Sequence, residues 1–222
     1  MIVAIDGPSG AGKSTLAKRV AREFGLMYLD TGAMYRALAL KVLREAVDLA
    51  DGARMARLVA AADIDLRERN GKLEVSLDGE EVSALIRTPE VSQMASKASA
   101  LKVVRQRMLE LQRALARRGS VVAEGRDIGT VVFPEAEVKI YLDASADERA
   151  RRRVAELRAA GRPVSFEATW REMEERDRRD SERELAPLRR ADGALVVDSS
   201  SLDAEAVAQR VIREIRSKNL QD

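Results

Sequence analysis

The 222 residues carry 39 basic and 37 acidic side chains, a net charge of +2, and contain neither cysteine nor histidine. Those two absences exclude disulfides, thiolate and imidazole metal sites, cysteine nucleophiles and Ser-His-Asp catalysis, so any chemistry must run on carboxylates, amines, guanidinium groups, hydroxyls and the backbone. Phosphoryl transfer fits that inventory, because positioning and charge neutralisation do most of its work.

Ile2 to Ile5 reads as a short buried strand. Gly7, Pro8, Ser9, Gly10, Ala11, Gly12, Lys13, Ser14 and Thr15 follow and match G-x-x-x-x-G-K-[ST]; Leu16, Val20 and Phe24 then recur at helical spacing. A glycine-rich turn between a strand and a helix can bring backbone N–H groups around a phosphate at the positive end of the helix. Lys13 is placed to reach the β- and γ-phosphates of a nucleoside triphosphate, Ser14 to ligate Mg²⁺, and Thr15 to reach the α-phosphate. Leu26 to Leu29 predicts a second strand, after which Asp30 or Thr31 caps a helix. From 63 to 82 the apolar residues alternate, and Asn70-Gly71 and Asp78-Gly79 are hairpin signals, so a three-stranded antiparallel meander is expected as an insert. Thr88-Pro89 opens the first of two helical stretches that run to about Arg118.

A third buried strand ends at Glu124-Gly125, a fourth spans Val138–Ser145 and a fifth Ala194–Ser200, with helical stretches between and after them. Strands alternating with helices imply an α/β chain with a five-stranded parallel sheet, and ligands at the carboxyl ends of its strands. The phosphate loop, Asp30, Arg126 and Asp127 all fall at such ends. The opening apolar stretch is too short for a signal peptide and no run approaches a membrane span, so a cytoplasmic location is expected. A GTP switch is excluded by its motifs: Asn70 and Asn219 are the only asparagines and neither begins N-K-x-D, and no aspartate is followed three residues later by glycine. A small kinase is the class that remains.

"IDGPSGAGKST", "LDTGAMYR", "IRTPEVS", "GRDIGTVVFP", "KIYLDAS" and "ERDRRDSER", in that order, resemble the bacterial cytidylate kinase family. The resemblance runs from residue 2 to about residue 200, and "DTGAMYR" with "GRDIGT" is its most specific part. It implies a three-layer P-loop fold in one kinase domain, with a core of about 1–62, 88–145 and 184–222, an acceptor-side insert of about 63–87 and a helical lid of about 146–183. It also implies ATP-dependent phosphorylation of CMP and dCMP with Mg²⁺, by a monomer with no membrane or nucleic-acid partner. Arg36, Arg126, Arg176 and Arg183 are the positions implied to grip the acceptor phosphate, with Asp30, Thr31 and Tyr35 beside them; Ser96, Arg105 and Asp127 are implied to read the base.

A carboxylate at 127 suits that role, since it accepts from the exocyclic amine of cytosine and meets a carbonyl in uracil. Capping a helix that starts at Ile128 is its alternative use. Arg176, Arg179 and Arg183, spaced i, i+3, i+7, share a helix face and would neutralise the transferring group together with Lys13 and Arg126; pairs such as Arg176–Asp180 would instead merely lace the helix. Arg149 and Arg153, i and i+4 on the implied lid, are placed to contact the donor, or else belong to a solvated face. Where this family often has Asp before "GRD" the chain has Glu124, which leaves direct metal ligation there open. Two rival readings stay open: a kinase for UMP, AMP or another metabolite, and an RNA-associated P-loop protein favoured by arginine abundance but opposed by 3% aromatics.

Overall fold

The structure, a computed structural model, describes residues 1–69 and 72–219. The chain forms two compact units, Met1–Met27 with Gly119–Asp222, and Tyr28–Arg118. The expected insert at 63–87 lies wholly within the second unit, together with helices that were expected in the core.

In the first unit β1 (Ile2–Asp6) lies between β6 (Val121–Gly125) and β7 (Val138–Asp143), and β8 (Leu195–Asp198) pairs with β7, all in parallel. The fifth strand, β2 (Met27–Asp30), begins as the chain leaves this unit, giving the sheet order β2-β6-β1-β7-β8. A parallel strand covered on both faces reads as an unbroken apolar run, which is why Ile2–Ile5 and Val121–Ala123 carry no alternation. Helix α1 (Lys13–Phe24) buries Leu16, Ala17, Val20 and Ala21, the stripe its sequence spacing announces. Helix α8 (Ala204–Asn219) packs beside α1 and buries Val211, Ile212 and Ile215, and Arg19–Glu205 and Arg216–Glu23 pair along the exposed seam. Helices α6 (Ala146–Ala159) and α7 (Phe166–Glu182) pack on each other. The fourth strand stops at Asp143 rather than continuing to Ser145, because Ser145 takes the N-cap of α6 and accepts from the Glu148 N–H at 3.3 Å.

In the second unit α2 (Thr31–Arg44), α3 (Gly52–Ala61), α4 (Pro89–Ala98) and α5 (Lys102–Ala116) enclose Met34, Leu38, Met55, Ile86 and Met108. The expected antiparallel meander is β3 (Ile64–Arg69), β4 (Lys72–Leu77) and a very short β5 (Glu80–Glu81). Asp78 and Gly79 both take positive φ, 51° and 84°, between the paired Leu77 and Glu80, which is the two-residue hairpin turn that the dipeptide predicts. The Asn70-Gly71 turn lies outside the described residues. Thr88 caps α4 with Pro89 in its first turn, as expected, accepting from the Val91 N–H at 3.1 Å. Among the described residues no helix is long and apolar enough to cross a membrane.

Candidate active site

The phosphate loop leaves the end of β1 and enters α1. A Cβ on Gly7, at φ 151°, would stand 1.9 Å from the backbone oxygen of Leu142, so no other residue fits where the loop begins. The rest is braced from outside: Ser199 donates to the Ala11 oxygen at 3.1 Å, and Arg149 to the Ser9 oxygen at 3.2 Å. Lys13 is buried, and its ammonium donates to the Pro8 oxygen at 2.6 Å. Burial first, then the charges of Arg126 and Arg176, pull its pKa down to about 7, against the opposing pull of Glu124. Ser14 and Thr15 stand exposed at the start of α1.

Arg126, the first residue after β6, is held by Asp180: its Nε donates to Oδ2 at 2.9 Å, and Nη1 donates to the Gly125 oxygen at 3.3 Å. The same buried carboxylate stands 3.8 Å from Nη1 of Arg183 and 4.0 Å from Nε of Arg176. Burial alone would raise Asp180, but Arg126, Arg176 and Arg183 outweigh it and hold the group below the ordinary carboxylate range. Arg126 in turn is held above its usual value by Asp180 and Asp177, against the effect of its own burial. Three arginines gathered on one buried acid form a compact cluster whose mutual repulsion that acid offsets.

Arg183 does not lie on the helix face that its spacing predicts. Helix α7 ends at Glu182, and Arg183 at φ −61°, ψ 139° turns the chain outward while its Nε donates to the Ala186 oxygen at 2.7 Å. That turn brings Nη2 within 3.6 Å of Oδ1 of Asp127. Arg179 stands 3.9 Å from the Glu175 carboxylate. The two expected lid arginines part company. Arg149 is buried against Ala144, Ser9 and the Asp177 carboxylate, whereas Arg153 pairs with Glu156 at 2.8 Å on the surface.

Asp127 holds the N-cap position of a π turn (Ile128–Val132) but makes no side-chain cap bond. The cap is supplied by Asp6, whose two oxygens accept from the Ile128 and Gly129 N–H groups at 2.8 Å each. The local capping that stood as the alternative for Asp127 is thus performed by a residue 121 positions earlier in sequence (127 − 6).

The second unit contains the other predicted positions. Asp30, not Thr31, caps α2: one oxygen accepts from the Ala33 N–H at 2.8 Å and the other pairs with Arg36 at 3.1 Å. Gly32 lies under that pair, and a Cβ there would meet Arg36 Nη1 at 3.1 Å and Asp30 Oδ1 at 3.2 Å. This explains the D-T-G-x-x-x-R spacing physically. Tyr35 and Arg105 come together, with the guanidinium carbon 5.8 Å from the ring centroid and Nη1 donating to the Ser99 oxygen at 3.3 Å. Ser96 is buried, and its hydroxyl has no hydrogen-bond partner among the described residues.

Asp177 and Asp6 are residues that the sequence did not single out, and Asp180 entered there only as a helix-lacing partner of Arg176. For Asp180 a signal existed: Thr169, Met173 and Asp180 recur at intervals of four and seven, so the acid falls on the buried stripe of α7.

A phosphate loop with its lysine at the end of a central parallel strand, and arginines gathered at the end of the neighbouring strand, are the working parts of a small P-loop kinase. The comparisons narrow that class. The profile of the cytidylate kinase family matches residues 3–217. The cytidylate kinase of Pelotomaculum thermopropionicum is 50% identical over 214 residues, 96% of this chain and 95% of that protein. The bifunctional pantoate ligase/cytidylate kinase of Synechococcus elongatus is 49% identical over 226 residues; the chain is matched in full but spans only 43% of that longer protein. A crystal structure of an uncharacterized protein from Eubacterium ventriosum shares the fold, at TM-score 0.54 and 12% identity over 98% of this chain and 99% of that one. The chain belongs to the cytidylate kinase family.

Proposed function

We propose that this chain transfers the γ-phosphoryl group of ATP to CMP, and to dCMP, giving the diphosphate. The observation that carries the reading is the continuous line of charge Arg126–Asp180–Arg183–Asp127, which joins a phosphate-gripping cluster to a buried carboxylate suited to cytosine. ATP would lie on residues 7–15. The Ser14 hydroxyl, exposed beside Lys13 at the start of α1, suits a magnesium ion that keeps most of its waters, and such an ion would draw charge from the β- and γ-phosphates. Lys13, now parked on the Pro8 oxygen, would exchange that carbonyl for phosphate oxygens and regain its full charge.

Arg126, Arg176 and Arg183 are proposed to hold the phosphate of CMP, and Arg179 to steady the group in flight. Asp30, Thr31, Tyr35, Arg36, Ser96 and Arg105 are proposed as further acceptor residues. The buried Ser96 hydroxyl, without a hydrogen-bond partner among the described residues, and the Arg105 guanidinium supply a donor-acceptor pair for a pyrimidine edge. The attacking phosphate oxygen is largely ionised at neutral pH, since the second phosphate pKa is about 6, so no general base is required. Segment 146–183 is proposed as the lid, with Arg149 as its donor-side contact. Free nucleotides in the cytoplasm are the proposed substrates.

The test is an ATP-dependent assay across CMP, dCMP, UMP and AMP with wild type and Asp127→Asn. Wild type should favour CMP over UMP. The variant presents an amide donor that uracil can accept, so the ratio of kcat/KM should fall roughly ten- to a hundredfold. An unchanged ratio removes Asp127 from base recognition.

A further inference from the structure

We propose that Asp6 is a positioning residue for the acceptor: its carboxylate fixes the backbone on which Arg126 and Asp127 are mounted, and so sets base selectivity without touching the substrate. The inference rests on the reading of Asp127 as the base reader.

Asp6 ends β1 in register with Gly125 on β6 and Tyr141 on β7. From there it reaches across the strand end to the turn that follows Asp127. The π turn closes on itself late: Val131 and Val132 N–H both donate to the Asp127 oxygen, at 2.9 and 3.1 Å, and Phe133 N–H to the Ile128 oxygen at 2.7 Å. The N–H groups of Ile128 and Gly129 have no acceptor within that turn and lie buried, where an unmet donor is costly. Asp6 satisfies both. One rigid carboxylate holding two consecutive amides leaves little rotational freedom to the peptide just before them, and that peptide belongs to Asp127, at the sparsely populated φ −145°, ψ 24°.

Two further features fit a positioning role. The contact is tight: a Cβ on Gly129 would stand 3.2 Å from the Ala191 Cβ and 3.4 Å from Oδ2 of Asp6. The carboxylate also stays where ionisation is expensive, with its pKa raised to about 6 by burial against the pull of the same two amides. A side chain kept only to end a strand could be an alcohol or an amide at lower cost. A cap supplied from β1 instead of Asp127 leaves the Asp127 carboxylate outside the cap, 3.6 Å from Arg183. Asp6 is also bonded through the chain to Gly7, so a single residue anchors the turn carrying the acceptor residues to the first residue of the donor loop.

The experiment measures KM for CMP, UMP and ATP, kcat and Tm for wild type, Asp127→Asn, Asp6→Asn and Gly129→Ala. Asp6→Asn keeps the shape but turns an amide N–H₂ toward one of the two backbone donors. Its kcat/KM for CMP should fall roughly ten- to a hundredfold, the scale of a misplacement near 1 Å, and its CMP-over-UMP ratio should narrow while KM for ATP stays near wild type. Gly129→Ala presses one methyl on the same contact from the other side and should show the same split at smaller size. A folded Asp6→Asn whose ratio is unchanged, or whose ATP and CMP parameters fall together, overturns the proposal. Where Asp6→Asn does not fold, Gly129→Ala decides by the same criterion. A wild type without preference for CMP, or an Asp127→Asn variant without a narrowed ratio, would sink the base-reading assignment itself. Normal behaviour of those two beside an unmoved Asp6→Asn ratio sinks the positioning role alone.

Discussion

Residues 7–13 take their shape from the backbone, whereas Arg126, Arg176 and Arg183 take theirs from a single buried side chain. At the loop, Gly7 permits an approach that any Cβ would forbid, and two outside donors brace carbonyls. At the cluster, three long cations that would otherwise repel are collected by Asp180. A backbone-built anion site is specified within nine residues of sequence; a side-chain-built site depends on an acid up to 54 residues away from the arginine it holds. The first should therefore lose chemistry when altered and the second should lose chemistry and stability together.

The largest effect is expected on the backbone-built side. Lys13→Ala should lower kcat by about a hundred- to a thousandfold or more, since one preorganised charge is withdrawn from the transferring group. Its Tm should hold or rise, because the buried ammonium is destabilised where it stands. Circular-dichroism melts beside turnover rates check this, and a folded variant with near-normal turnover would refute the loop's role.

Asp180→Asn comes next and should behave differently. Removing one partner from a buried ion cluster costs about 3–5 kcal/mol, and here the acid removed faces three arginines. Tm should drop by several degrees and KM for CMP should rise, with KM for ATP less affected. A variant that loses CMP affinity at wild-type Tm would show that Asp180 does not organise the cluster.

The same contrast explains what was legible in the sequence. The phosphate loop, the Thr88-Pro89 helix start and the Asp78-Gly79 turn are written in consecutive residues whose conformational preferences decide the outcome. A cap of α2 at Asp30 or Thr31 was visible for the same reason, and the structure places it on Asp30. The partners of the arginines were not. Arg176 to Asp180 looks from spacing like one more surface pair, and only Arg126, brought alongside by β6, turns that acid into a hub. Arg149 and Arg153 share a helix spacing, yet the acid on α7 draws one inward and leaves the other with Glu156. For Asp127 a local cap was only the alternative use, and the residue that does cap the turn was not visible, because pairing across a parallel sheet places Asp6 beside it from far away in sequence.

The smallest effect sharpens the comparison through pH. Asp180 is held below the ordinary carboxylate range by its arginines, so its contribution is present above about pH 4 and is lost as pH falls through its lower folded value. Asp6 is raised from 3.8 to about 6, chiefly by burial, and its sign is opposite. Between those values the unfolded chain has released the proton and the folded chain still holds it, so stability falls as pH rises from about 4 to about 6 and is flat above. Each pKa unit is worth about 1.4 kcal/mol, which makes the whole window about 3 kcal/mol. Asp6→Asn has no such titration. The stability of wild type over Asp6→Asn should therefore be greatest near pH 4 and shrink toward pH 7, whereas the advantage of wild type over Asp180→Asn should shrink toward acid. Denaturant melts of the three proteins at pH 4, 5, 6 and 7 decide it. If the Asp6 difference grew with pH, the two amide bonds would outweigh desolvation, and Asp6 would behave like Asp180, as an acid stabilised in its charged form by its partners.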